Sequence, residues 1–150
     1  MSHLPKVVSP TITYNRKELL DMPHDVNFLT GRIIGSAIEV HRALGPGLLE
    51  SAYRLSLGRE LQLQNIPVKL HWPVPLEYKG LRLKKVYQAD LIVADTVVVE
   101  TKSVDALAPI HEAQLVTYLR IGGWKVGLLI NFNEIVLKKG IRRKVLDLEE

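Results

Sequence analysis

The sequence predicts an α/β fold in which helices flank a mixed β-sheet. Residues 26–44 carry apolar side chains at helical spacing, which is typical of an amphipathic helix. Short apolar runs at 91–93 and 97–99, and a longer one within 125–132, are typical of buried strands. The complete order of helix, helix, three strands, helix and strand shows no internal repeat and favours a mixed sheet covered by helices.

The length of the chain fits one compact domain. With 150 residues the chain can bury a real core, and its 47% hydrophobic and 24% charged residues argue against a disordered, collagenous or coiled-coil protein. The first 24 residues contain three prolines and no sustained period, which predicts a partly flexible arm. We therefore expect an arm at 1–24 and a single domain at 25–150.

Three helices are predicted from the apolar spacing and from signals at their ends. They cover residues 26–44, 48 to about 64, and 110–121. Gly45 suits the left-handed residue that follows a helix, and Gly47 can cap the start of the second helix. Pro109 suits the first turn of the third helix, which Gly122 and Gly123 end.

Strand character follows the second and the third helix. The predicted strands cover residues 66–78, 81–94, 96–103 and 125–132, with a short edge strand at 134–138. A Lys-Gly pair and Asp95 separate the first three strands. Proline cannot donate a ladder hydrogen bond, so Pro67, Pro73 and Pro75 either place the first strand at a sheet edge or make it irregular.

Composition and motifs exclude several chemistries. The chain has no cysteine, which removes disulfides, thiolate nucleophiles and cysteine-bound zinc. It also lacks a phosphate loop, a nucleophile elbow and the HExxH zinc motif. Any metal must therefore be held by Asp, Glu, His or backbone oxygen. Neither a secretory signal nor an apolar stretch near the roughly 18 residues of a membrane span is found, so we expect a cytoplasmic protein without membrane contact.

The charge of the chain is a weak signal for an anionic partner. A net charge of +4 and a pI near 9.4 would raise the local concentration of nucleic acid. A basic cluster near the C-terminus adds to this signal and consists of Lys138, Lys139, Arg142, Arg143 and Lys144. These side chains either contact nucleic acid or belong to a solvated C-terminal strand and turn.

A charged pair follows the apolar run of the strand predicted at 96–103. Glu100 and Lys102 are two residues apart and therefore point to the same face of that strand. Buried charges normally pair or hold a metal, because an unpaired charge is costly to bury. The pair is either part of a functional site or a structural ion pair at an exposed strand end.

Asp90 is predicted to lie across from Glu100. It opens an apolar run on the strand that turns back at Asp95. A three-residue loop centred on Asp95 would pair Asp90 with Glu100 on one face, since cross-strand partners share a face. A two-residue turn would pair Asp90 with Thr101 instead and would separate the two carboxylates. The predicted site requires the longer loop or a bulge.

Two adjacent carboxylates repel each other unless a cation lies between them. Hard oxygen ligands favour magnesium or manganese, so Asp90 and Glu100 are predicted to hold Mg²⁺ or Mn²⁺. Lys102 would then lie beside the metal. Its ammonium could orient or help activate a water and offset the charge that grows on a phosphoryl group during attack.

Glu50 is the fourth candidate for this site and for its metal. It shares one helix face with Tyr53, Leu57 and Leu61, so it lies on the apolar side of the second helix. The alternative is a capping role, since a carboxylate near a helix N-terminus is favoured by the helix dipole and can reach a free amide.

Other polar residues lie on the predicted helices. His111, Gln114 and Tyr118 follow helical spacing and form a polar stripe that either lines a groove or faces solvent. His41 lies among apolar residues of the first helix, and we interpret it as a core histidine with a satisfied hydrogen bond.

The segment from Gly47 to Tyr53 resembles the signature of the GxxExxY proteins, within the PD-(D/E)XK nuclease superfamily. The resemblance runs from about Val26 to Leu146 and is carried by residues 40–47, 89–93, 100–103, 111–115 and 128–132. It implies a restriction-endonuclease-like core with a helix, three antiparallel strands, a helix and a further strand.

The resemblance also implies roles for the charged residues. Asp90 and Glu100 match the metal-holding acids, and Lys102 matches the lysine of the superfamily. Glu50 resembles the acid that many members supply from the preceding helix. Ala89 stands where the superfamily's name has proline, a difference that leaves the metal site intact.

A substrate-positioning element is implied as well. Gln114 and Tyr118 resemble the QxxxY element of the RecB-like branch. The combined prediction is a hydrolase that uses magnesium or manganese to cut phosphodiester bonds in nucleic acid, with DNA as the default substrate. One alternative is a catalytically silent accessory protein that binds nucleic acid or a partner, and another is a buried structural network of acids. A homodimer or an accessory protein partner stays open.

Overall fold

The computed structural model describes residues 25–146, in which three helices pack on a five-stranded sheet. The helices are α1 (Val26–Leu44), α2 (Glu50–Leu63) and α3 (Pro109–Gly122), and a 3-10 helix covers Leu137–Gly140. The strands are β1 (Val68–Pro73), β2 (Leu76–Tyr78), β3 (Leu81–Leu83), β4 (Gln88–Val93), β5 (Val97–Lys102), β6 (Val126–Asn131) and β7 (Ile141–Val145). The arm predicted at 1–24 lies outside the described residues. Within 25–146, no helix has the length and apolar character that a membrane span requires.

The sheet is mixed and flanked by helices, as the sequence predicts. Its strand order is β1-β4-β5-β6-β7, and every neighbouring pair is antiparallel except β5 and β6. A parallel pair requires a crossover, which α3 provides. β2 and β3 form a separate hairpin between β1 and β4 in the chain. β1 lies at a sheet edge, in agreement with its proline content.

The core has two layers because successive strand residues face opposite sides of the sheet. The layer under α1 and α2 includes Ile33, Tyr53, Leu57, Val99 and Leu128. The layer under α3 includes Ile92, Val98, Leu115, Leu119 and Leu129. All six residues of β6 are buried, because helices cover both of its faces. The two parallel strands thus lie inside the sheet, with their carboxyl ends at the same edge.

The second helix begins later than the sequence predicts. α2 starts at Glu50 with Leu49 at its N-cap, instead of starting at residue 48 with Gly47 as the cap. Gly47 has a φ of 97°, a left-handed conformation that glycine adopts readily. The Leu48 amide binds the Tyr53 hydroxyl and lies outside the helix. Glu50 is therefore the first helical residue.

Three strand predictions were wrong in their bounds. Residues 66–78 and 81–94 each divide into two strands, because the Val74 amide binds the Tyr87 carbonyl and thereby closes off the β2–β3 hairpin. Residues 134–138 do not form an edge strand, because Leu137 enters the core at the start of the 3-10 helix. The strand at this edge of the sheet is β7. Three consecutive basic residues in β7 break the apolar pattern by which a strand is predicted from sequence.

His41 has the satisfied hydrogen bond that the sequence interpretation expects, but it lies outside the buried core. His41 is half-buried on α1, and its Nε2 donates a hydrogen bond of 2.6 Å to the carbonyl of Glu134. This contact joins α1 to the turn that follows β6. His41 is therefore a packing residue with a satisfied hydrogen bond.

Candidate active site

The β4–β5 hairpin has the three-residue loop on which the predicted site depends. Its register pairs Val93 with Val97 and leaves residues 94–96 as the loop. The same register, continued along the strands, places Asp90 beside Glu100. The alternative two-residue turn is thereby excluded.

Asp90 and Glu100 are joined through main-chain amides at the end of the hairpin ladder. The Asp90 amide donates to Glu100 Oε1 at 3.1 Å, and the Thr101 amide donates to Asp90 Oδ2 at 2.8 Å. The Thr101 hydroxyl donates to the same Oδ2 at 3.1 Å. Strand alternation predicts that Thr101 faces away from Glu100, so sequence reasoning missed this contact. Each carboxylate is oriented through one oxygen, and its other oxygen lies outside these bonds.

The surroundings of Glu100 disfavour its charge. The residue is 5% exposed. Burial, followed by the negative charge of Asp90, raises the pKa of Glu100 to about 9. The Asp90 amide and the Lys102 ammonium oppose this rise. The acid pair of Asp90 and Glu100 therefore has too little positive charge nearby, and it favours a proton or a cation.

Tyr53 holds the turn that precedes Glu50. Its hydroxyl donates to the Gly45 carbonyl at 2.5 Å and accepts from the Leu48 amide at 3.0 Å. Its ring stacks on Phe132, with ring centroids 4.6 Å apart. Tyr53 thus ties the start of α2 both to the end of α1 and to the end of β6.

We expect Tyr53→Phe to lower the free energy of unfolding by about 1 kcal/mol, because the ring contacts remain and the two hydroxyl hydrogen bonds are lost. Urea denaturation followed by circular dichroism measures the loss. Tyr78→Phe is the matched control, since Tyr78 is exposed and its hydroxyl has no hydrogen bond in the described structure. Equal stability changes in the two variants would contradict the role of the Tyr53 hydroxyl.

Glu50 joins the acid pair through its charge. Ser103 Oγ donates to the Leu48 carbonyl at 2.6 Å, which brings the end of β5 to the start of α2. Burial raises the pKa of Glu50, the Lys102 charge lowers it, and the Asp90 charge raises it. Within the described residues, no backbone amide binds the Glu50 carboxylate, so the hydrogen bond that the alternative capping role requires is not formed. Glu50 faces the site instead.

Arg54 belongs to this cluster, and sequence reasoning missed it. Its Nη1 lies 3.8 Å from Asp90 Oδ1, and both side chains are largely buried. The Arg54 charge also opposes the burial that raises the pKa of Glu50. Arg54 Nε is buried without a hydrogen-bond partner in the part of the chain that the structure describes. The spacing of one helical turn from Glu50 is the sequence signal that could have identified it.

The polar stripe on α3 lies at the same site. Gln114 Nε2 donates to the Tyr118 hydroxyl at 3.0 Å. Burial, followed by the negative charge of Glu100, raises the pKa of Tyr118. The charge of His111 acts on Glu50 and opposes the rise in the Glu50 pKa that burial causes. The structure therefore brings this stripe to the acids, as one of the two sequence interpretations requires.

The basic cluster near the C-terminus makes its contacts elsewhere. Arg142 and Arg143 donate to oxygen atoms of the 3-10 helix, β7 and α1, and Lys144 forms an ion pair of 2.9 Å with Glu112. The lysines at 138–139 are exposed. No hydrogen bond or ion pair found within 25–146 joins these residues to the acid pair. Their part in binding nucleic acid stays a prediction.

The acid pair suits a magnesium-type ion. Mg²⁺ is usually held by one or two carboxylates and keeps several waters, and substrate phosphates complete its shell. Asp90 and Glu100 offer such a pair, and burial together with the negative charge of Asp90 raises the pKa of Glu100 to about 9. Among residues 25–146, no three His, Asp or Glu side chains form a complete ligand group. The arrangement therefore fits a metal held by two carboxylates, water and substrate.

A comparison with known protein families places this site in context. Residues 27–144 match the family model described as the PD-(D/E)XK nuclease superfamily. No curated protein and no solved structure matches the chain significantly. The matched segment includes the β4–β5 hairpin, α2 and α3, which are the elements that supply the acids, Lys102 and the polar stripe.

Proposed function

Because the chain belongs to the PD-(D/E)XK nuclease superfamily, we propose that it is a metal-dependent nuclease that acts at Asp90, Glu100 and Lys102. Proteins of this superfamily are generally nucleases and typically use divalent metal ions. The observation that carries the proposal is the acid pair at the end of the hairpin ladder, where a buried carboxyl of raised pKa lies beside a second carboxylate and a lysine.

We assign the metal to Asp90 and Glu100, with Glu50 as a third acid. The metal, Mg²⁺ or Mn²⁺, would supply Lewis-acid chemistry at a phosphoryl oxygen. Lys102 supports the attacking water with a hydrogen bond and offsets the negative charge that grows on the phosphoryl group. Thr101 keeps the Asp90 carboxylate in its orientation through two hydrogen bonds.

Gln114 and Tyr118 position the substrate strand in this proposal. Their mutual hydrogen bond sets the direction of the Tyr118 hydroxyl, which lies in the field of the acid pair. A hydroxyl and an amide in this place can bind phosphate or sugar oxygen atoms.

The motif GxxExxY has a structural explanation that supports membership in the GxxExxY group. Gly47 adopts the positive φ of the turn, Tyr53 holds the turn through two hydrogen bonds, and Glu50 is the acid that the turn presents. We propose this group, within the RecB-like branch, as the finer assignment. DNA as substrate, a cytoplasmic location and a homodimer or accessory partner are further proposals from the sequence.

Incubation with nucleic acids tests the proposed function. Purified protein is mixed with single-stranded and duplex DNA and RNA, in magnesium, in manganese or in chelator. We expect cleavage with either metal and none in chelator. Cleavage that persists in chelator, or no cleavage of any of the four substrates, would overturn the proposal. Salt-sensitive binding without cutting would favour the accessory reading, since phosphate contacts weaken with salt.

We expect Arg54→Gln to tighten magnesium binding and to raise the KM for nucleic acid. The Arg54 guanidinium lies 3.8 Å from Asp90 Oδ1, so it competes with a metal for the same charge. Its removal should lower the magnesium dissociation constant by roughly tenfold. The lost guanidinium is also suited to phosphate, which explains the higher KM.

Calorimetry of magnesium binding without nucleic acid measures the first effect, and steady-state cleavage measures the second. Arg59→Gln is the control, because Arg59 is an exposed arginine on the same helix. An unchanged magnesium affinity in Arg54→Gln would show that Arg54 does not act on the metal ligands.

A further inference from the structure

A cleft opens between α3 and the root of the β2–β3 hairpin. Its volume is about 370 Å³. Pockets of about 300 to 1,000 Å³ with mainly apolar walls commonly bind small organic groups. Residues from both elements line the cleft, including Val74, Leu76, Tyr87, Ile110, Thr117 and Tyr118.

Aromatic and apolar side chains make the walls of this cleft. Tyr87 meets Tyr118 edge to face, with ring centroids 6.2 Å apart. Tyr118 is buried, whereas Tyr87 is 42% exposed and Ile110 is 69% exposed. Large apolar side chains that stay exposed together around a cleft are typical of a binding site. A flat ring in the cleft would cover them.

The cleft adjoins the acid pair. Gln114 and Tyr118 line the cleft and also belong to the polar stripe at the candidate active site. The negative charges of Glu100 and Asp90 act on the Tyr118 hydroxyl. A phosphodiester held at the acids would therefore have a neighbouring base near the cleft.

The hairpin beside the cleft is basic. Residues 76–87 contain one acidic residue and four exposed basic residues, namely Lys79, Arg82, Lys84 and Lys85. Pro73 and Gln88 are the last paired residues of the sheet before the hairpin begins. Gln88 is two positions before Asp90, so the hairpin begins near the acid pair. Its charge complements the phosphates of a strand that passes over the cleft.

We propose that the cleft is a nucleobase subsite and that the nuclease acts on a single strand, whose unpaired base enters the cleft while the basic hairpin contacts its phosphates. The proposal rests on the nuclease function proposed above and specifies its substrate. A base in a duplex is paired and stacked, so it reaches such a cleft only after unpairing. Stacking on an aromatic side chain accepts every base, so sequence preference is small.

Binding in chelator tests the subsite independently of cleavage. Fluorescence anisotropy compares a labelled single-stranded oligodeoxynucleotide, its duplex and an abasic strand of the same length. The single strand should bind roughly tenfold more tightly than either of the others. Tyr87→Ala should remove the difference between the base-bearing and the abasic strand. Tyr87→Phe keeps the ring and should keep the difference, as should Leu63→Ala, which shortens an exposed apolar side chain at the far end of α2.

Charge removal tests the hairpin. The double change Lys84→Ala and Lys85→Ala should weaken binding of the base-bearing and the abasic strand equally, by roughly tenfold, and reduce the salt dependence. Arg59→Ala with Lys125→Ala removes the same charge from other exposed positions and should have little effect.

Each outcome decides for or against the subsite. Equal affinity for base-bearing and abasic strands, equal or tighter binding of the duplex, or an undiminished difference in Tyr87→Ala would overturn it. An equal loss in the two double variants would overturn the role of the hairpin. Cleavage in magnesium reports on the nuclease function alone: a protein that binds bases through Tyr87 and cuts nothing has the subsite without the activity.

Discussion

Lys102→Ala is expected to reduce metal-dependent cleavage by about 10²- to 10³-fold in a protein that stays folded. Lys102 is half-buried at the end of β5, and its charge acts on both Glu50 and Glu100. An ammonium in this place can offset the negative charge that the phosphoryl group gains in the transition state. The ground state carries less of this charge, so the ammonium stabilises the transition state more than the ground state. The loss should therefore appear in kcat. Single-turnover cleavage at saturating magnesium measures it.

Lys125→Ala is the matched control for this change. Lys125 is exposed and directly precedes β6. Because β5 and β6 are parallel, Lys125 lies near the amino ends of these strands, whereas Lys102 lies at the carboxyl end of β5. This variant should cleave at the rate of the unchanged protein. The separate variant Asp90→Ala should also lose cleavage activity, as Lys102→Ala does. If cleavage survives in both of those variants, it comes from a contaminant, and the proposed nuclease function fails.

Without metal, the protein is expected to lose stability steadily as the pH rises from about 5 to about 9. Burial and the charge of Asp90 raise the pKa of Glu100 to about 9 in the folded state, against 4.5 in its ordinary surroundings. Below 4.5 the group is protonated in both states and contributes no pH dependence. Between the two values the unfolded chain releases the proton that the folded chain retains, so unfolding becomes easier. The slope from this single group is at most about 1.4 kcal/mol per pH unit.

Glu100→Gln should flatten this dependence, because the amide is uncharged and can still accept the Asp90 amide hydrogen bond. Thermal and urea unfolding in chelator across pH 5 to about 9 measures both proteins. Glu77→Gln, on the exposed face of the hairpin, is the control and should retain the slope of the unchanged protein. The same slope in Glu100→Gln would contradict the raised pKa.

Magnesium should restore the lost stability at high pH in the unchanged protein. An ion that binds only the folded state stabilises it by about 2.7 kcal/mol at 100 times its dissociation constant. Glu100→Gln lacks one of the proposed metal ligands, so magnesium should restore much less stability in this variant. Equal stabilisation of the two proteins by magnesium would place the metal elsewhere.

The acid pair shows why part of the site could be predicted from local sequence. A three-residue loop centred on Asp95 pairs apolar residues with apolar residues and an acid with an acid, whereas a two-residue turn mixes them. The sequence left both turns open, because strand patterns predict the two strands but not the length of the loop that joins them. The structure decides for the three-residue loop with the pairing of Val93 and Val97.

Other members of the cluster depend on contacts that no local pattern records. Arg54 reaches Asp90 from a different element, 36 positions earlier in the chain. Thr101 binds Asp90 although strand alternation directs it away, because its amide and hydroxyl meet the carboxylate at the end of the ladder. The cleft beside Tyr87 exists because the hairpin root packs near α3. The spacing of residues along one helix or strand does not predict distances between different elements.

The length of the loop at residues 94–96, and with it the position of Asp90 beside Glu100, was decided by the structure. The sequence by itself determined the mixed α/β fold, the reversal of the chain near Asp95 and the shared strand face of Glu100 and Lys102. These features follow from the alternation of side chains along strands and from the spacing of apolar residues along helices, which are local quantities. Only the tertiary structure decided that Arg54 and Tyr118 lie at the acids, that the C-terminal basic cluster makes its contacts elsewhere, and that a basic hairpin stands beside the cleft. The physical reason is that packing between elements distant in the chain sets these distances.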